Sequence, residues 1–136
     1  MSRPTRAVLI IENDLATAEM YQRALSQRYE VFISTVEEDV LALVRTNTLH
    51  AIVLEPGPLN GPGWDLLAEL QRHPSTGSIP VIVCTSQDRR RLGMEMSTAA
   101  YLVKPVLPAV LLKMVRRLIS EDGHESMKKS QGRSPP

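Results

Sequence analysis

A doubly wound α/β fold, with the (βα) unit repeated five times around a five-stranded parallel sheet, is what this chain predicts. Three observations carry that prediction: five short apolar runs, helical periodicity between successive runs, and polar or charged residues at the carboxyl ends of the runs. Strict alternation with short links leaves one economical arrangement, a parallel sheet covered by helices on both sides through right-handed crossovers.

The first run, Ala7 to Ile11, is continuous and rich in branched residues, as a strand buried on both faces requires. Ala18, Tyr21 and Leu25 follow at i, i+3 and i+7, the apolar stripe of a helix for which Asp14 is the expected N-cap. Glu30 to Ile33 is the second strand. Val36, Val40, Leu43 and Val44 give the second helix its stripe, with Thr35 and Glu38 at capping-box spacing. Ala51 to Leu54 is the third strand, and Leu66, Leu67 and Leu70 mark the third helix, with Trp64 expected to pack at its start, an exposed partner anchor being the alternative. Val81 to Cys84 is the fourth strand, followed after Asp88 by a short fourth helix. Tyr101 to Val103 is the fifth strand, and Leu107, Val110, Leu111, Met114, Val115 and Leu118 line the apolar face of the fifth helix.

In sheets of this kind, ligands and chemistry sit at the carboxyl ends of the strands. Those ends carry Glu12-Asn13-Asp14, Glu55-Pro56-Gly57, Thr85-Ser86 and Lys104-Pro105, so acids, a hydroxyl and a lysine converge on one rim. With those landmarks in that order, the chain resembles the receiver domain of two-component response regulators across residues 7 to 119. Glu12-Asn13-Asp14 resembles the family's acidic cluster, and Glu55 occupies the place of its phosphoacceptor aspartate. Thr85-Ser86 and Tyr101 match its two switch positions, and Lys104-Pro105 matches its lysine and cis-proline pair. The resemblance implies strand order 2-1-3-4-5, the flavodoxin-like receiver fold, over a domain spanning residues 1–119.

A working receiver of that family phosphorylates an aspartate with the help of magnesium, held by acidic side chains and one backbone carbonyl, while the lysine and the hydroxyl bind the phosphoryl group. Each part departs here. Glu55 keeps the charge but carries its carboxylate one methylene further out, and a misplacement of about 1 Å can cost on the order of a hundredfold in rate. Asn13 puts a neutral amide where the family's second acid would meet the metal, and magnesium is anchored chiefly by ionised carboxylates. Asp14 is better used as a helix cap. Pro56 offers no N–H to a bound anion, and the loop from Pro56 to Gly63 is Pro/Gly-rich where the family shows Met-Pro and Asp-Gly signals. Lys104 is expected to pair with Glu55.

The resemblance therefore implies a pseudo-receiver. Its degenerate pocket is formed by Glu12, Asn13, Glu55, Thr85 and Lys104, with no catalytic residue, no enzymatic activity and no required cofactor. At most it holds magnesium weakly through Glu12, Glu55 and Gly57. A functional phosphoacceptor with a weakened magnesium site is the alternative that Thr85, Tyr101 and Lys104 keep open. An unrelated small-molecule or enzymatic activity on the same sheet is a second, against which stand the missing Gly-rich phosphate loop and Ser/His/Asp arrangement.

The expected partner is a protein of a signalling pathway, a histidine kinase or an effector protein, or a second copy in a homodimer. Receivers signal through the surface of the fourth helix, fifth strand and fifth helix. Here the chain between Thr85 and Lys104 is a few residues shorter than usual in the family, and Arg89, Arg90, Arg91, Met94, Met96 and Tyr101 are the candidate surface. The net charge of +1 and the absence of aromatics among the arginines give no footprint for nucleic acid. The 136 residues, 43% of them hydrophobic, fit one domain with a single core. One cysteine, Cys84, cannot form an internal disulfide, and a cytoplasmic location is expected. No run approaches the ~20 apolar residues of a membrane span, and Met1 to Arg6 does not resemble a secretory signal. His50, His73 and His124 lack metal-ligand spacing. Residues 120–136 read as a flexible polar tail or linker.

Overall fold

The computed structural model describes residues 6–36 and 39–120. In chain order the elements are β1 (Ala7–Ile11), α1 (Leu15–Leu25), β2 (Glu30–Ser34), α2 (Val40–Thr46), β3 (Ala51–Leu54), α3 (Pro62–Arg72), β4 (Val81–Thr85), α4 (Arg90–Glu95), β5 (Ala100–Val103) and α5 (Pro108–Ser120). The strands form one parallel sheet in the order β2-β1-β3-β4-β5. This is the expected doubly wound topology, and it places β1, β3 and β4 side by side in the middle.

Alternation along the central strands divides the core in two. Val8, Ile10, Ala51, Val53, Ile82 and Cys84 point to one side, where Ala18, Tyr21 and Leu25 of α1 and Leu111, Val115 and Ile119 of α5 cover them. Leu9, Ile11, Ile52, Leu54, Val81 and Val83 point to the other, against Val40 of α2 and Trp64, Leu67 and Leu70 of α3. Period-two alternation with both faces apolar is why these strands read as unbroken hydrophobic runs.

Four local expectations are corrected. Only the three central strands are buried throughout, whereas β2 and β5 are mostly half-buried because each is an edge of the sheet. The second helix begins at Val40 with Asp39 as N-cap, its side chain accepting from the Ala42 amide at 3.0 Å, so Val36 precedes the helix. Of the expected capping box, Glu38 lies outside the described residues, and Thr35 stands too far ahead of the helix to cap it. On the fifth helix, Leu107 and Val110 are exposed. Leu107 stands before the helix starts, Val110 lies on the flank of the stripe, and the buried line runs Leu111, Val115, Ile119 at i, i+4, i+8. Ser120 closes α5, and the rest of the expected tail lies outside the described residues.

Asp14 caps α1 as expected, its carboxylate accepting from the Thr17 amide at 3.1 Å. Trp64 is buried where α3 begins. There, Gly63 is packed so closely on the backbone of Pro56 that a Cβ would collide with the Pro56 carbonyl. Gly63→Ala is expected to destabilise the protein by about 3 kcal/mol through forced displacement of the loop, measured as a lower urea midpoint at unchanged slope.

Candidate functional site

The sheet's hydrogen-bond ladder runs on past the strand ends and delivers the rim residues. Glu12 N donates to Ser34 O at 3.0 Å, Glu55 N to Ile11 O at 2.9 Å and Lys104 N to Thr85 O at 2.8 Å. Three side chains from β1, β3 and β5 are thereby aimed at one another across β4.

They meet in a single ionic unit. The Lys104 ammonium donates to Glu12 Oε1 at 2.9 Å and lies 3.0 Å from Glu55 Oε1. The pairing with Glu55 was legible in the sequence; the equal claim of Glu12 was not. These groups are shielded, with side-chain exposures of 5% for Glu12, 16% for Glu55 and 23% for Lys104, so the ion pairs are far less screened than surface ones. Burial alone would pull the ammonium down, but its bonds to Glu12 and Glu55 and their charges outweigh that and raise Lys104 above its ordinary 10.5. Lys104-Pro105 is a cis peptide, as the resemblance implied.

The remaining carboxylate oxygens are also engaged. Glu12 Oε2 accepts from the Asp14 amide at 3.1 Å, and Glu55 Oε2 accepts from the Gly57 amide at 2.9 Å. Gly57 turns the loop back with φ of 78°, a conformation glycine adopts without steric cost. Its carbonyl accepts from the Trp64 indole Nε1 at 3.3 Å. Asn13 Oδ1 accepts from the Val36 amide at 3.2 Å, tying the end of β1 to the loop after β2. Apart from the tryptophan's position at the head of α3, no sequence signal announces these contacts.

Magnesium requires near-octahedral oxygen donors, chiefly ionised carboxylates. Among the described residues, no three His, Cys, Asp or Glu side chains are grouped as metal ligands. The two carboxylates are held by an ammonium, the Gly57 carbonyl by an indole and the Asn13 amide by a backbone N–H. As arranged, the residues do not fit a hard divalent cation.

Thr85 is buried and its Oγ1 accepts from the Gln87 amide at 3.3 Å, while Ser86 beside it is exposed. Tyr101 lies beneath α4. Its hydroxyl donates to Gln87 O at 2.7 Å and accepts from the Arg89 amide at 2.9 Å, serving a helix start that has no side-chain cap of its own. At the other end of α4, Gln71 of α3 donates to the carbonyls of Met96 and Ser97 at 2.9 and 3.0 Å. Arg89, Arg90, Arg91 and Met94 are exposed on this element, with Arg90 paired to Asp88 at 3.3 Å, and Met96 packs against the core. Below the rim, burial pushes the Cys84 thiol and the Tyr21 hydroxyl up to about 12 each.

A five-stranded 2-1-3-4-5 sheet with acids, a threonine and a lysine-cis-proline pair in these places is similar to the response-regulator receiver, or CheY-like, domain. Among named relatives, the chain is 29% identical to a probable transcriptional regulator, ycf29, of Pyropia yezoensis, over 85% of this chain and 54% of that protein, so it spans about half that relative's length. It is 27% identical to the two-component response regulator ORR12 of Oryza sativa subsp. japonica, over 76% of this chain and 93% of the other. Among solved structures, a putative response regulator from Chloroflexus aurantiacus superposes with a TM-score of 0.75 at 26% identity, covering 86% of this chain and 99% of that one. No model of a protein family matches the chain. No helix among the described residues is long and apolar enough to cross a membrane.

Removing the ammonium strands two shielded carboxylates. Lys104→Met is expected to cost about 3 kcal/mol at neutral pH. Because the folded state holds the Lys104 proton more tightly than the unfolded chain, its contribution is complete below pH 10.5 and is lost as pH rises through the folded-state value. The difference in unfolding free energy between native and Lys104→Met is therefore expected to stay flat up to that pH and shrink above it, as read by denaturant unfolding across an alkaline series.

Proposed function

We propose that this chain is a receiver-like signalling module that is not phosphorylated at Glu55 and acts by binding another protein. The observation that carries the reading is the state of Glu55: one oxygen lies 3.0 Å from the Lys104 ammonium and the other accepts from the Gly57 amide at 2.9 Å. A carboxylate attacks phosphorus only with a free oxygen placed in line. Here both oxygens are engaged, and the metal that would neutralise the transferring phosphoryl group finds no ready donors.

The pocket then has a structural role, and recognition falls to the surface. The exposed Arg89, Arg90, Arg91 and Met94 on α4 offer charge and adaptable apolar contact, on an element pinned at its start by Tyr101 and at its end by Gln71. The rice relative's name places it in two-component signalling, which favours a histidine kinase or an effector protein as the partner, with a homodimer as the simplest other assembly. The names of both relatives give this chain no substrate of its own, and the reading is of a non-enzymatic module in the cytoplasm.

The retained Thr85, Tyr101 and Lys104 support a second reading, in which Glu55 still accepts phosphate with Glu12 holding the metal. Intact-mass analysis after incubation with acetyl phosphate and magnesium separates the two. The native chain is expected to stay unmodified, while Glu55→Asp combined with Asn13→Asp gains one phosphoryl group. A labelled native chain would overturn the proposal.

A further inference from the structure

We propose that the rim is closed to divalent cations by its own side chains, with Lys104 and Trp64 holding the oxygens that such an ion would need. The inference rests on the reading of a silent receiver-like pocket and extends it to the ion. Six oxygens could face a cation here: two each from Glu12 and Glu55, the Gly57 carbonyl and the Asn13 amide oxygen. Each already accepts a hydrogen bond, from Lys104, Asp14, Gly57, Trp64 or Val36.

Charge points the same way. Glu12 and Glu55 contribute −2 and Lys104 +1, leaving −1 for a doubly charged ion. Asp14 adds little, because its carboxylate is turned to the Thr17 amide as the cap of α1. A cation competes with the ammonium for both carboxylates, and driving the ammonium off would leave it shielded and without a counter-ion, which is the costly half of breaking a buried pair. It must also take the Gly57 carbonyl from an indole that is itself fixed, since Trp64 is only 6% exposed and packed in the core beside α3. Trp64 is thus a positioning residue of the rim as well as a core residue.

The probe is Mn2+, an oxygen-seeking ion whose paramagnetism broadens nearby amide signals, titrated into the full chain while the Asn13 and Gly57 signals are followed. The native chain is expected to show no saturable broadening at or below ~1 mM. The triple variant Asn13→Asp, Trp64→Leu, Lys104→Met, folded by circular dichroism, is expected to bind at least ~tenfold more tightly. Saturable native binding in that range overturns the inference, as does a folded triple variant that binds no better than native. Should the triple variant not fold, Lys104→Gln with Trp64→Leu, which frees the same oxygens and keeps a polar group at position 104, decides in the same two directions. Mn2+ binding at these amides without phosphoryl transfer to Glu55 would sink this inference alone; transfer to Glu55 would sink the functional reading whatever the ion does.

Discussion

One ammonium group organises the carboxyl end of this sheet. Lys104 reaches across β4 to satisfy two carboxylates at once, at 2.9 and 3.0 Å, and each of the three partly shielded charges is held by the others. A glutamate at position 55 is compatible with the fold because this cation meets it. In return, Glu55 reaches back to the Gly57 amide and sets the turn of the loop that Trp64 then closes. The rim is therefore one connected unit running from β5 through β3 to the start of α3.

That unit explains why departures scattered along the chain belong together. Asn13 is neutral where the resemblance implied a second acid, and its amide oxygen accepts from the loop after β2 instead. The Pro/Gly segment from Pro56 to Gly63 brings the Trp64 indole within 3.3 Å of the Gly57 carbonyl, with Gly63 providing the close approach. On the far side, α4 has only six residues and takes its order from neighbours, through Tyr101 at one end and Gln71 at the other. A short helix gains little from its own hydrogen bonds, so external ties of this kind hold the exposed arginines in a defined place.

The fold was almost wholly legible in the sequence, because three central strands buried on both faces leave unbroken apolar runs and their helices leave clean stripes. What failed were edges and ends. Glu30 to Ser34 and Ala100 to Val103 have one unpaired side, so their burial is partial. Val36 continues the helical period of α2 without belonging to the helix, since Asp39 intervenes as a better cap. At the site, the residues that converge were legible from their positions at strand ends, including the Lys104–Glu55 pair. The Glu12 share of the ammonium, the indole on Gly57 and the Tyr101 bridge to Gln87 and Arg89 were not, because each depends on a side chain's reach across space and leaves no periodic trace along the chain.

The central claim is that Lys104 holds both carboxylates and leaves no place for a phosphoryl group. It is tested most directly by a crystal structure grown with magnesium and beryllium fluoride, a phosphoryl mimic that attaches to acceptor carboxylates. The account predicts Lys104 Nζ still within hydrogen-bond distance of Glu12 and Glu55, with Glu55 unmodified. A fluoroberyllate group on Glu55, with Lys104 swung from Glu12 to meet it, would contradict the account.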